Sequence, residues 1–172
     1  MEKLRKYKIS TKESKGIIDD AMSRYPQLSS LITKRKTSLE VVDLGEAFVY
    51  LYNGLPVLVR KENFLIPFIG IIDKYGLDIP KITVDLGAVK FILNGADVMG
   101  PGVKDVDERI KEGDIVRVVA EEYNKTIALG ISLRNSDKIK ERGKSVRNIH
   151  YLGDRIWKSM KEHITSDNVK SI

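Results

Sequence analysis

"VDLGAVKFILNGADVMGPGV", residues 84–103, decides how the second half of this sequence folds. Val84 closes an apolar run, Ile82 to Val84, that reads as a strand, and Gly87 to Leu93 then carry the helical period for about two turns. Asn94-Gly95 is a stop signal for that helix. Val98-Met99 follow as a very short strand that enters the turn Gly100-Pro101-Gly102. From Phe91 to Val103, three glycines and a proline leave much of the backbone uncovered by side chains. Bare N–H groups beside a helix end can approach a phosphate or a base edge where a Cβ would obstruct. The same glycines also serve tight turns and barrel corners, and from the bare pattern that reading prevails.

Downstream, "KEGD" is a turn before a strand from Ile115 to Glu121, and "YNK" reverses the chain into a strand from Thr126 to Ser132. Residues 136–143 form a charged connection, "SVRNIHYL" is a last strand, and "GDRIWKSMKEHI" closes the fold as a short helix. Short strands with frequent turns and one early helix predict a small, partly closed β-barrel. Upstream, "KYKIST" reads as a short strand. Ser10 or Thr11 then caps a helix to about Arg24, whose buried face is Ile17, Ile18, Ala21 and Met22. Tyr25-Pro26 ends it, and "TKRKTS" is an exposed basic loop. Strands follow at about 39–43, 46–52 and 55–60, with Asn53-Gly54 as a hairpin turn. "PFIGIIDKYG" places Phe68, Ile71, Ile72 and Tyr75 on one helical face before Gly76. Pro80 marks a boundary, which gives a first domain over 1–79, a second over 80–160, and a frayed tail over 161–172. The class is α+β.

The 172 residues are 42% hydrophobic and 31% charged, as expected of a globular chain. With no cysteine, disulfides and thiolate metal sites are excluded, and a reducing cytoplasm suits the composition. No signal peptide or membrane-spanning run is visible. The net charge of +6 is uneven: residues 1–36 carry ten Lys/Arg against four Asp/Glu, and residues 134–172 ten against five. Charge runs alone read as solvated surface, so a polyanion partner needs independent support.

That support is a resemblance. "VDLGAVKFILNGADVMGPGV", "EGDIVRV" and "NIHYLGDRIW" resemble the PUA domain, the small RNA-binding barrel appended to pseudouridine synthases and archaeosine transglycosylases. The match is closer still to the malignant T-cell amplified sequence family, in which a pre-PUA α/β domain precedes a PUA-type β-barrel with a short helix. That family is related to the front part of ligatin, and the form here is archaeal-like. The resemblance implies RNA recognition in the translation apparatus, with small-subunit rRNA or the acceptor end of tRNA as target, in initiation or ribosome recycling. It implies the small ribosomal subunit as partner, and a SUI-domain protein supplied in trans. Two other roles fit: delivery of RNA to a modification enzyme by the same barrel, and protein–protein adaptation through the apolar hairpin of the first domain, with RNA affinity lost.

On the family's RNA-facing edge the resemblance points to Lys90, Asn94, Gly95, Ala96, Met99 and Gly102. Arg134, Lys144 and Arg147, in "RNSDKIKERGKSVRN", would add phosphate contacts from the other side of the groove. No catalytic set, cofactor or metal is expected. "RGKS" at 142–145 fails as a phosphate loop because Lys138 occupies the first glycine position, and "GPGVKD" fails the dinucleotide pattern at Asp105. His150 with Asp154 is too small a set for a metal, and His150 is expected to be a packed, hydrogen-bonded strand residue. Pairs such as Asp19-Asp20 and Glu121-Glu122 are adjacent and do not face one another.

Overall fold

The computed structural model describes residues 4–33 and 37–164. Residues 34–36 of the expected basic loop, and 165–172 of the expected tail, lie outside the described residues; of that tail, Lys161–His163 forms a 3-10 turn. Two compact units result: one runs to Asp78 and takes in the chain again from Lys158, and the other is Ile79–Trp157.

In the first unit, β1 (Arg5–Lys8) leads into α1 (Thr11–Arg24), whose N-cap Ser10 accepts a hydrogen bond from the Glu13 N–H at 3.0 Å. Ile18, Ala21 and Met22 are buried along one face, as the 3.6-residue period requires, while Ile17 is only half-buried. Ser14 joins the buried face because its Oγ accepts from the Leu39 N–H at 2.9 Å. Four strands follow: β2 (Glu40–Asp43), β3 (Ala47–Tyr52), β4 (Leu55–Lys61) and β5 (Phe64–Pro67). They make an antiparallel meander in the order β1-β2-β3-β4-β5. At the β3–β4 turn Asn53 and Gly54 have φ of 48° and 82°, the values a type I′ hairpin needs. The predicted helix after Pro67 shrinks to a single turn, α2 (Ile69–Ile72).

The second unit contains β6 (Lys81–Val84), α3 (Leu86–Ile92), β7 (Val98–Met99), β8 (Val103–Val106), β9 (Ile115–Ala120), β10 (Lys125–Ser132), β11 (Lys144–Tyr151) and the first half of α4 (Arg155–Met160), whose residues from Lys158 on belong to the first unit. Its sheet order is β7-β11-β10-β9-β6-β8, antiparallel throughout except for β6–β9. The end strands β7 and β8 are separated in the chain only by the turn Gly100–Gly102. The sheet must therefore curl until its edges come near each other, which makes a near-barrel around Ile82, Val84, Val98, Val116, Val118, Ala128 and Val146.

Gly100 allows this closure. A Cβ there would fall 1.7 Å from the Glu141 carbonyl oxygen, and the Gly100 N–H donates to the Gly143 carbonyl at 2.8 Å. What comes close to this bare backbone is the protein's own 139–143 segment.

Candidate nucleic-acid interface

Asp85 starts the site. Its carboxylate caps α3 by accepting from the Ala88 N–H at 2.9 Å. The helix ends where Gly95 takes φ of 93°, a conformation that L side chains rarely adopt. Asn148 of β11 fixes the returning loop: its Nδ2 donates to the carbonyls of Ile92 (3.0 Å) and Ala96 (3.1 Å), and its N–H donates to Asp97 at 2.9 Å. Between α3, β7 and the start of β11 these constraints leave a groove of about 700 Å³. Ala88, Phe91 and Met99 give it apolar walls, Gly95, Ala96 and Gly102 present backbone, and Asp85, Asp97 and Lys144 supply charge.

Phe91 is 57% exposed and Met99 48%, far more than their apolar surface favours in water. The Lys90 ammonium lies 5.1 Å from the centre of the Phe91 ring, within cation–π range. Lys144 Nζ is 3.2 Å from the Asp97 carboxylate, which holds the ammonium at the groove and moderates its field. An aromatic face beside two cations can stack a base and hold the adjoining phosphates.

Of the nine residues predicted from the sequence, Gly95, Ala96, Met99, Gly102 and Lys144 line this groove. Lys90 is exposed on α3 next to Phe91. Asn94 turns back on its own helix, donating from Nδ2 to the Lys90 carbonyl at 2.9 Å. Arg134 does not present its charge to the groove. Its guanidinium donates to the carbonyls of Glu141 (2.7 Å), Arg142 (2.7 Å) and Lys138 (3.3 Å) and to Ser145 Oγ (3.0 Å), so it pins the 138–145 segment. Ser145 in turn donates to the Ile139 carbonyl. Arg147 is half-buried on the face of β11 opposite the core residue Val146, away from the groove lining.

Sequence reasoning missed Phe91, Asp85 and Asp97. Phe91 falls within a helical apolar run and reads as core, and only its 57% exposure separates it from its buried neighbour Ile92.

His150 is fully buried, and its Nδ1 lies 2.7 Å from Asp154. Asp154 also accepts from the N–H groups of Tyr151 (3.0 Å) and Trp157 (2.8 Å), the second of which opens α4. Burial pushes the Asp154 carboxyl up, but the His150 hydrogen bond and charge, together with the two N–H groups, outweigh it and leave it below its ordinary value of 3.8. Among the described residues there is no group of three or more side chains suited to a metal.

Comparison with known proteins places these elements. The PUA domain model matches residues 80–152, and a domain of unknown function, DUF1947, matches residues 5–75. An uncharacterized protein from Methanocaldococcus jannaschii is 38% identical over 159 residues, covering 91% of this chain and 98% of its own. This chain belongs to the PUA-domain family. It has the two-part form, DUF1947 (pre-PUA) region and then PUA domain, of the malignant T-cell-amplified sequence proteins. Translation machinery-associated protein 20 of Schizosaccharomyces pombe is 29% identical over 165 residues, covering 90% of this chain and 91% of its own. Malignant T-cell-amplified sequence 1 of Danio rerio is 28% identical over 159 residues, covering 87% and 88%. The crystal structure of a hypothetical protein from Pyrococcus horikoshii superposes with a TM-score of 0.77 at 34% identity, over 91% of this chain and 99% of that one. The groove described above lies wholly within the PUA domain.

Proposed function

We propose that this chain is a non-catalytic RNA-binding protein of the translation apparatus, whose PUA domain holds the single-stranded 3′ end of a structured RNA. The observation that carries the reading is the groove between α3 and β7. Its apolar walls and exposed Phe91 face suit a base, and the Lys90 and Lys144 ammonium groups suit its phosphates. The Asp85 and Asp97 carboxylates among the lining residues favour bases with an exocyclic amino group, cytosine, adenine and guanine, over uracil. A tRNA acceptor end has that chemistry, and small-subunit rRNA is the other target in keeping with relatives named for the translation machinery. The ribosomal small subunit, a SUI-domain partner in trans and a cytoplasmic location belong to the same reading. Among the described residues, no helix is long and apolar enough to cross a membrane.

The test is fluorescence anisotropy of the full chain with a labelled RNA stem ending in single-stranded CCA, against the same stem ending in UUU. Tighter binding of the CCA form, lost on Phe91→Ala, is expected. Equal affinities that Phe91→Ala leaves unchanged would remove the groove from RNA recognition.

A further inference from the structure

The first unit carries a second surface that the groove does not explain. All four residues of β1, Arg5-Lys6-Tyr7-Lys8, are exposed. Cross-strand partners project to the same face of a sheet, so the register fixes which side chains stand together. Arg5 pairs with Asp43, Asp43 with Phe48, and Phe48 with Arg60, a row running across four strands. Tyr7 lies on the same face as Arg5 by the two-residue period, and Tyr50 on the same face as Phe48. At its accessible edge this face therefore carries two arginines and the rings of Tyr7 and Phe48, while Tyr50, like Val41 and Leu58 in its row, is buried beneath.

The local geometry suits planar ligands. The Arg5 guanidinium carbon stands 5.4 Å from the centre of the Tyr7 ring, and Tyr7 is 38% exposed. Phe48 and Arg60 are half-buried, and Arg60 Nε donates to the Tyr50 hydroxyl at 3.2 Å, which holds that guanidinium over the sheet. The intervening Asp43 carboxylate is turned to the Gly45 N–H at 2.8 Å. The opposite face of β1 differs: Lys6 is ion-paired with Glu40 at 3.4 Å. Lysines on an edge strand are explained by protection against edge-to-edge pairing. That explanation does not reach an exposed tyrosine stacked under an arginine, nor an arginine–phenylalanine pair in register with it.

We infer that the Arg5–Tyr7–Phe48–Arg60 face of the first unit is a second, sequence-tolerant binding platform for single-stranded RNA. Bases stack on the rings and phosphates meet the guanidinium groups, so that the chain grips RNA through both of its units. Every base has a π-face, so the platform reads no sequence, and each stacked base contributes affinity in its own right.

The inference does not depend on the groove, and the experiment keeps the two apart. The full chain carrying Phe91→Ala and Lys144→Ala, which weaken the groove, is titrated with a fluorescent twelve-nucleotide oligouridylate at low salt, with and without Tyr7→Ala or Arg5→Gln. Both residues of the platform chosen for change are exposed, so the fold is expected to persist, as circular dichroism will check. Tyr7→Ala is expected to weaken the remaining binding about five-fold or more, the range seen for loss of one stacking ring. Tyr7→Phe should keep it, and Tyr7→Leu should lose it. Photocrosslinks from 4-thiouridine RNA should fall on the peptide containing residues 5–8. Unchanged affinity in Tyr7→Ala, with crosslinks confined to residues 85–102, would overturn the platform while leaving the groove intact. Equal weakening by Tyr7→Phe and Tyr7→Ala would also overturn it, because stacking would then not be the cause.

Discussion

At the scale of single residues, the glycines of 84–103 separate into different jobs, and this separation decides which substitution is informative. Gly95→Val confounds two effects, because φ of 93° strains any side chain and the new Cβ would lie 3.3 Å from the Tyr151 hydroxyl. Gly100→Ala is expected not to fold, since its Cβ would overlap the Glu141 carbonyl at 1.7 Å. Gly102 is the clean probe. A Cβ there meets Ala88 Cβ at an ordinary 3.5 Å and Asp85 at 4.0 Å. Gly102→Val should keep the melting temperature of the PUA domain and weaken RNA binding at every salt concentration, because it fills the groove rather than removing charge. Unchanged RNA affinity in a folded Gly102→Val would show that nothing approaches this backbone. Lys144→Ala acts on charge instead. It should flatten the slope of log K against log salt by roughly 0.7, the value for one phosphate on a single strand. Arg134→Ala should leave that slope alone and lower thermal stability, since it removes the donors that pin 138–145.

At the scale of elements, legibility followed the strength of local signals. The hairpin at Asn53-Gly54, the Ser10 cap and the α3–β7 unit were readable because each rests on a residue type with one strong conformational preference. β5 was not. Its hairpin turns at Glu62 with φ of 55°, a position without a glycine to announce it, and its last residue, Pro67, reads as the start of the helix in "PFIGIIDKYG". β8 follows the Gly100–Gly102 turn directly and is only four residues long, too short for a period. The groove was legible as backbone but not as a surface, because exposure of Phe91 and commitment of Arg134 are tertiary facts. α4 shows the same contrast. His150 reads as a buried strand residue, yet its task is to hold the Asp154 carboxylate that opens the helix. A carboxyl held below its ordinary value of 3.8 stabilises the fold fully above that value, and this contribution disappears as pH falls through the lower folded-state pKa. Asp154→Asn should therefore destabilise the PUA domain at pH 7 and narrow the stability difference between pH 7 and pH 3. Urea unfolding at the two pH values checks it, and an unchanged difference would show that Asp154 does not contribute to the acid sensitivity.

At the scale of the whole molecule, the proposed domains at 1–79 and 80–160 imply units that can unfold separately. The start of the second unit is held within that unit. Ile79 is 2% exposed, its carbonyl accepts from Arg117 Nε at 3.1 Å, and the Pro80 carbonyl accepts from the Arg117 N–H at 2.9 Å. A protease needs a stretch of unpaired backbone, so resistance of 79–81 to cleavage would say nothing about independence. Tyr25 offers a better handle. It lies in the first unit and is 5% exposed, and burial pushes its phenol from 10.0 up to about 12, with Arg24 pulling partly against this. A group with a raised folded-state pKa stabilises fully below its unfolded value, so this contribution is complete below pH 10 and is lost as pH rises toward 12. A rise of that size corresponds to roughly 2–3 kcal/mol. Trp157, the sole tryptophan, lies in the second unit and reports its unfolding by fluorescence, while circular dichroism reports both. Between pH 7 and pH 11 the wild type should lose stability in the part of the dichroism transition that Trp157 does not follow. Tyr25→Phe should reduce that loss and leave the Trp157 midpoint at pH 11 where it was. If Tyr25→Phe moves the Trp157 midpoint as far as the dichroism midpoint, the two units unfold as one and the division into domains is thermodynamically empty.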